Sequence, residues 1–179
     1  MGWVFVSDRP SLNFAATLAE RGTTEVEQLR DPADLAGWIG EAGLVQDVTA
    51  PSRAMLTEAR ALREALYRLL RTASAGSVAD ADTRDLINAA AARPGPVLHL
   101  DGAGRLTRTG GLPAALTALA QDGLSLLDSP DLDRLTWCSG PRCTRGFIDR
   151  SRARNRRWCD MTGCGDRAKV AAYRQRRRT

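Results

Sequence analysis

Two residue types that carry much of protein chemistry are almost missing from this chain of 179 residues. There is one histidine, His99, and one lysine, Lys169, among 26 Lys and Arg. With a single histidine, any Cys/His or Ser/His catalytic arrangement has to use His99, and no sequence-level partner stands out beside it. His99 is read as structural, and the chain is expected not to be an enzyme; one would need a pocket in residues 1–133 with perturbed titrating groups. Also lacking is a phosphate-binding loop, since "GGLP" and "DGAG" read as turns. No apolar run approaches the roughly 20 residues of a membrane helix. "MGWVFVSDRP" has neither the basic start nor the apolar stretch of a secretory signal. The expectation is a cytoplasmic protein with no membrane partner.

What is present is unevenly distributed. A hydrophobic share of 43% with 26% charged residues is that of a soluble globular chain, long enough for one domain and a small satellite module. Residues 134–179 hold 14 of the 26 Lys and Arg but 3 of the 21 Asp and Glu, a net +11, which leaves −6 for residues 1–133. Such a split is the electrostatic footprint of a module that meets a polyanion beside a body that does not. We place the boundary between 1–133 and 134–179.

The body reads as helical. Asp31 and Pro32 form the start, and Gly43 the end, of a helix burying Leu35, Trp38 and Ile39. After Pro51, the residues Met55, Ala59, Leu62, Leu66, Leu69 and Ala73 repeat at spacings of four and three, one stripe of a long helix stopped by Gly76. Asp80 caps another, through Leu86, Ile87 and Ala90. "PVLHLDGAGRLTRTG" predicts a short β-hairpin. Pro113 opens a further helix, and "SPDLDRL" is a turn or short helix leading to the tail. On the long helix, Glu58, Arg60, Arg63 and Glu64 read as surface pairs at helical spacing, the alternative being a buried Arg63 lining a pocket for an anionic effector.

All four cysteines lie in the tail, as Cys138-x4-Cys143-x15-Cys159-x4-Cys164. Two close pairs separated by a loop suit one tetrahedral zinc ion, and four protein ligands leave no open position, so the ion is structural. Two disulfides, or four unrelated buried thiols, are the alternative; the expected compartment disfavours the first. Gly140, Pro141 and Gly163 allow the turns. Trp137-Cys138 and Trp158-Cys159 echo one another, and the two indoles with Phe147 would give a small module a substitute core, base stacking being the other use of a tryptophan. Between the pairs, "FIDRSRARNRRW" fits a hairpin, and after Cys164 a helix follows. The candidate nucleic-acid contacts are Arg150, Arg152, Arg154, Arg156 and Arg157 at the tip, with Arg167, Lys169, Arg174 and Arg178 on the helix. The ordinary reading of such a run is a solvated surface.

"WCDMTGCGDRAKVAAYRQR" resembles the CGNR zinc finger, a Cys-x4-Cys-Gly-Asn-Arg-x-Lys stretch with a basic helix after an earlier cysteine pair and a hairpin ending in Arg-Arg-Trp. "SLNFAATLAERGT", "PADLAGWIGEAGL" and "ALREAL" are similar to the ABATE domain that precedes that finger. The resemblance implies transcription regulators linked to stress responses. It carries the zinc ligands onto Cys138, Cys143, Cys159 and Cys164, and the motif's arginine and lysine onto Arg167 and Lys169. Two departures stand out. The motif asparagine is Asp166, which would cap a helix start but repel a phosphate, and the family's Leu-Asp-Phe-x-Asn-Thr becomes Leu12-Asn13-Phe14-Ala15-Ala16-Thr17.

The expected fold is therefore mainly α with small β-hairpins: a helical N-terminal domain plus a four-cysteine zinc module built as hairpin then helix. The expected function is a zinc-containing DNA-binding protein, a transcriptional regulator whose body senses a small-molecule effector or forms a homodimer. The alternative is an RNA- or protein-binding adaptor in which the zinc module is purely structural.

Overall fold

The computed structural model describes residues 2–177. Its elements follow in the order α1 (Pro10–Ala15), β1 (Leu18–Ala19), β2 (Val26–Glu27), α2 (Pro32–Glu41), α3 (Arg53–Ser74), α4 (Ala81–Ala91), β3 (Val97–Leu100), β4 (Leu106–Thr109), α5 (Gly111–Leu127), β5 (Leu135–Trp137), β6 (Gly146–Ile148) and α6 (Asp166–Arg176). A single 3-10 turn at Leu132–Arg134 leads into β5, and a wide helical turn at Met161–Gly165 leads into α6. The architecture is mainly α, with three two-stranded antiparallel pairs, β1 with β2, β3 with β4 and β5 with β6.

Side-chain oxygens set the helix starts. Asp31 accepts the Asp34 N–H at 2.9 Å, Ser52 that of Met55 at 3.2 Å and Asp80 that of Thr83 at 2.8 Å, each satisfying a donor that the first helical turn leaves open. Helix α5 begins two residues before Pro113, at Gly111, because a distant carboxylate does the capping. Asp47 accepts the N–H groups of Gly110 and Gly111, both at 3.0 Å.

Helix α3 is the centre of the body, packed against α1, α2, α4 and α5. Its buried face is wider than one stripe and takes in Leu56, Ala59, Leu62, Arg63, Ala65, Leu66, Leu69 and Leu70. The charged residues on it are not surface pairs at helical spacing. Arg63 is 2% exposed and donates to both Glu27 oxygens, at 2.6 and 2.8 Å, and to Glu64 at 2.8 Å. Arg21 reaches Glu64 at 3.0 Å, Arg60 donates to the Leu29 carbonyl and Glu58 pairs with Arg93. These bonds tie α3 to β2 and to the loops around it. Arg63 is buried, as the effector alternative required, but its charge is spent on two carboxylates.

The tail does not stand apart from this core. Leu135 and Ile148, from β5 and β6, pack with Leu12, Leu70 and Leu126 of the body in one buried cluster. Each such side chain contributes about 1.5–3 kcal/mol on leaving water. The Ile148 N–H donates to the Ser7 carbonyl at 3.2 Å, so the N-terminal segment runs beside β6. The hairpin expected within Phe147–Trp158 forms elsewhere. Gly146–Ile148 pairs with Leu135–Trp137, and 149–158 is a loop.

Candidate metal centre and basic surface

Cys138 leaves the end of β5, and Cys143 follows after a turn closed by its N–H donating to the Gly140 carbonyl at 3.1 Å. The glycine keeps this turn uncrowded. A Cβ there would lie 3.1 Å from the Cys143 Cβ, 3.4 Å from the Cys164 Sγ and 3.6 Å from the Cys138 Sγ. Cys159 ends the arginine loop and turns its N–H to the Cys138 sulfur at 3.4 Å. Cys164 sits in the wide turn before α6. That turn is fixed by Asp160, whose side chain accepts the Thr162 N–H at 3.2 Å and whose carbonyl accepts the Gly165 N–H at 2.9 Å. Asp166 does not cap the helix; it lies in the first turn of α6 and pairs with Lys169 at 3.4 Å.

The four sulfurs lie within 4.8 Å of one another, and all four cysteines are free. Cys143 and Cys159 are 3.8 Å apart, Cys159 and Cys164 3.7 Å. Four thiolates at the usual zinc–sulfur distance stand about 3.8 Å apart along the edges of a tetrahedron, so the donor set fits one ion. Three of the four are buried, with Phe147 fully buried beside them and Val6 and Trp158 packed on the outside. Crowded together as thiols, the sulfurs cannot all ionise. The hydrogen bond with Cys138, with burial added, pushes Cys143 up to about 11, and the same kind of neighbour pushes Cys159 up. A divalent cation at the centre removes that conflict by deprotonating its ligands.

The basic residues divide by what they touch. Arg167 Nη2 donates to the Cys164 sulfur at 3.1 Å, and this bond to the thiol raises the guanidinium above its ordinary value. Arg156 donates to the Trp158 carbonyl at 2.9 Å and to that of Cys159, with its guanidinium 4.4 Å over the Phe147 ring. Arg150 is held by both oxygens of Asp131, at 2.6 and 2.8 Å. Each of these three guanidiniums thus has a partner in the protein, although Arg150 and Arg167 are also exposed. Arg152, Arg154 and Arg157 are exposed on the loop, and Lys169 and Arg174 are exposed on α6. Arg178 lies outside the described residues.

The loop carrying the exposed arginines hangs on a residue that sequence reasoning passed over. Asp149, 5% exposed, accepts the Ser151 N–H at 2.8 Å with one oxygen and the Arg156 N–H at 2.9 Å with the other. An aspartate bonding an N–H two residues on is a turn signal in its own right, and "DRS" offered it. The two tryptophans separate. Trp158 packs at the cysteine cluster, whereas Trp137 belongs to the seam with the body, its Nε1 donating to Ser74 Oγ at 2.9 Å and its ring edge-on to Tyr67 at 5.4 Å.

The seam between body and tail also holds a cavity of about 400 Å³, walled by Val4, Val6, Leu18 and Val26 of the body, by Ala168 and Ala171 of α6, and by Cys143, Cys159 and Cys164 of the cysteine cluster. This cavity lies at the junction of body and tail, not around Arg63. Ala16, where the resemblance has asparagine, lines it. Asn13 is tied down instead, accepting the Ser7 N–H at 3.1 Å.

Among the described residues no helix is long and apolar enough to cross a membrane. No curated protein matches the chain. The CGNR zinc finger model matches residues 134–177, the stretch that holds the four thiols. The ABATE model, described as "Putative stress-induced transcription regulator", matches residues 8–130, well over half of the whole. With the four-thiol centre lying inside the second match and the helical body inside the first, the chain belongs to the ABATE family and carries a CGNR zinc finger after that domain.

Proposed function

We propose that this protein is a zinc-containing, DNA-binding transcriptional regulator of the cytoplasm. Cys138, Cys143, Cys159 and Cys164 hold one structural zinc ion, which supplies folding energy to the module and no reaction. Arg167 and the glycine at position 140 serve that centre, and Asp149 shapes the loop beside it. Arg152, Arg154 and Arg157 then meet duplex phosphates from a fixed scaffold. The observation that carries this reading is the division of labour among the arginines: Arg156 and Arg167 bond groups of the cysteine module, while the loop held by Asp149 leaves Arg152, Arg154 and Arg157 exposed beside a body of opposite net charge, Arg157 with its guanidinium 5.3 Å over the Trp158 ring. Residues 1–133 are the sensory or dimerising unit. A small molecule in the seam cavity would touch the body and α6 together.

The test is binding of the zinc-loaded full chain to random pools of duplex DNA and of RNA, followed by fluorescence anisotropy across a salt series. Duplex affinity should fall with a log–log salt slope of about −3 or steeper, the release expected of three or more phosphate contacts. Absence of duplex binding at low salt would overturn the reading and turn attention to RNA or a protein partner.

A further inference from the structure

Helix α6 is eleven residues long and buries none of them. An isolated helix of this length is marginal in water, so one kept without a packed face is held from its end, here by the turn bearing Cys164. Its two sides differ. Ala168 and Ala171 face the seam cavity. At about 100° per residue, Tyr173, Arg177 and Val170 line up on the opposite side, with Lys169 on one flank and Arg174 on the other; Asp166 starts the same line and is neutralised by Lys169. Val170 is 48% exposed and Tyr173 54% exposed. The Tyr173 ring is steadied by Arg177, whose Nη1 reaches the phenol oxygen at 3.4 Å and whose guanidinium lies 5.7 Å over the ring. A large apolar pair flanked by cations and left outside every core is a poor surface for water and a good one for a polyanion with apolar groups at its floor.

We infer that α6 is the reading element, lying in the major groove of duplex DNA with Val170 and Tyr173 against thymine methyl groups while Arg174 and Arg177 hold the flanking phosphates and Lys169 neutralises Asp166. The fit is physical. A helix with its side chains is about 10–12 Å across and the B-form major groove about 12 Å wide. The thymine methyl is the one apolar group that groove displays. The deep, narrow major groove of duplex RNA does not admit such a helix. The inference rests on the DNA-binding reading above and adds to it: the loop arginines supply affinity, and two residues that carry no charge supply the sequence preference.

The experiment selects a preferred site from random duplex DNA with the zinc-loaded full chain. It then compares wild type with Val170→Ala/Tyr173→Ala on that site, on random duplex, and on the site with thymines replaced by deoxyuridine. Both residues are exposed, so zinc content and circular dichroism should match wild type. Expected is random-duplex affinity within about twofold of wild type with an unchanged salt slope, and loss of the site preference by about tenfold or more. Deoxyuridine should weaken wild type on the site and leave the variant unaffected. Full site preference in the variant would overturn the assignment to α6 while leaving DNA binding intact. Duplex binding with no selectable site would overturn it too. No duplex binding by wild type would overturn both this inference and the function proposed above.

Discussion

The guanidinium of Arg167 points back along its own helix to the sulfur of Cys164, 3.1 Å away. A donor to a ligating thiolate sits outside the ligand set yet fixes its orientation and charge, and partners of this kind typically account for 10- to 100-fold in metal affinity. Arg167→Gln should therefore weaken zinc retention by about tenfold in chelator competition while leaving the salt slope of duplex binding unchanged.

Removing a ligand goes further. Cys159→Ser should release the ion and unfold residues 138–165. Because Leu135 and Ile148 pack with Leu12, Leu70 and Leu126, the body should also melt at a lower temperature. Metal content and a thermal scan check the two effects separately.

Charge reversal on the loop separates binding from folding. Arg152→Glu with Arg154→Glu touches side chains that are exposed. Zinc content should stay at wild-type level, and the salt slope of duplex binding should become shallower by about two, one for each lost phosphate contact. Loss of zinc from this variant would show that the two arginines support the fold instead.

The ion pairs on α3 predict a large stability effect. Arg63→Met leaves Glu27 and Glu64 without their buried cation, at a cost of about 3 kcal/mol, the low end for breaking such a pair because both carboxylates keep some contact with water. Adding Glu27→Gln should recover part of it in a denaturation cycle.

Glu64 adds a pH dependence of known sign. Burial alone would raise its carboxyl, but hydrogen bonds from Arg21 and Arg63 outweigh burial and leave it below its ordinary value of 4.5. A carboxyl depressed on folding contributes stability above its unfolded value. That contribution is lost as pH falls through the folded value. Melting temperatures of wild type and Arg21→Gln compared between pH 3 and 7 should show the variant losing less stability on acidification, since it has less of this contribution to lose. Release of the metal ion affects both proteins alike.

Two helical glycines should respond oppositely to alanine. A Cβ on Gly123 would lie 2.4 Å from Leu66 Cδ2, and Leu66 is fully buried, so its side chain would have to move within a packed core. The overpacking exceeds the gain in helix propensity, for a net loss of about 1 kcal/mol. Gly40, on an exposed turn of α2, has nothing within 4 Å, and Gly40→Ala should stabilise by about 0.5–1 kcal/mol.

The features legible in the sequence were those encoded over a few neighbouring residues. Asp31 and Asp80 announce their helices, the stripe on α3 has the right period, and the cysteine spacing foretells one four-sulfur cluster. Much of what was not legible depends on the environment each residue meets in the fold, often set by residues far apart in the chain. Helix α1 is six residues long and gives no helical stripe; its start is held by Asp122, which accepts the Ser11 N–H at 2.9 Å across 111 residues. Arg63 reads as surface until Glu27 arrives from β2. Arg156 and Arg167 look like their exposed neighbours because an arginine that stacks on Phe147 or bonds a sulfur has the same letter as one in water. The misplaced hairpin is instead a local choice: β6 pairs back across the first cysteine pair with β5, and Asp149 holds the arginine stretch as a loop.

The packing of Leu135 and Ile148 into the body also bears on transplantation. Fingers that fold as self-contained beads can be strung together or moved between hosts. This one has given part of its interior to another segment of the chain, and its Trp137 needs Ser74 and Tyr67 to complete its surroundings. Cut out and fused elsewhere, it would present those residues to water as a sticky patch, so any portable version must bring α1 and the ends of α3 and α5 with it or have that side redesigned as polar.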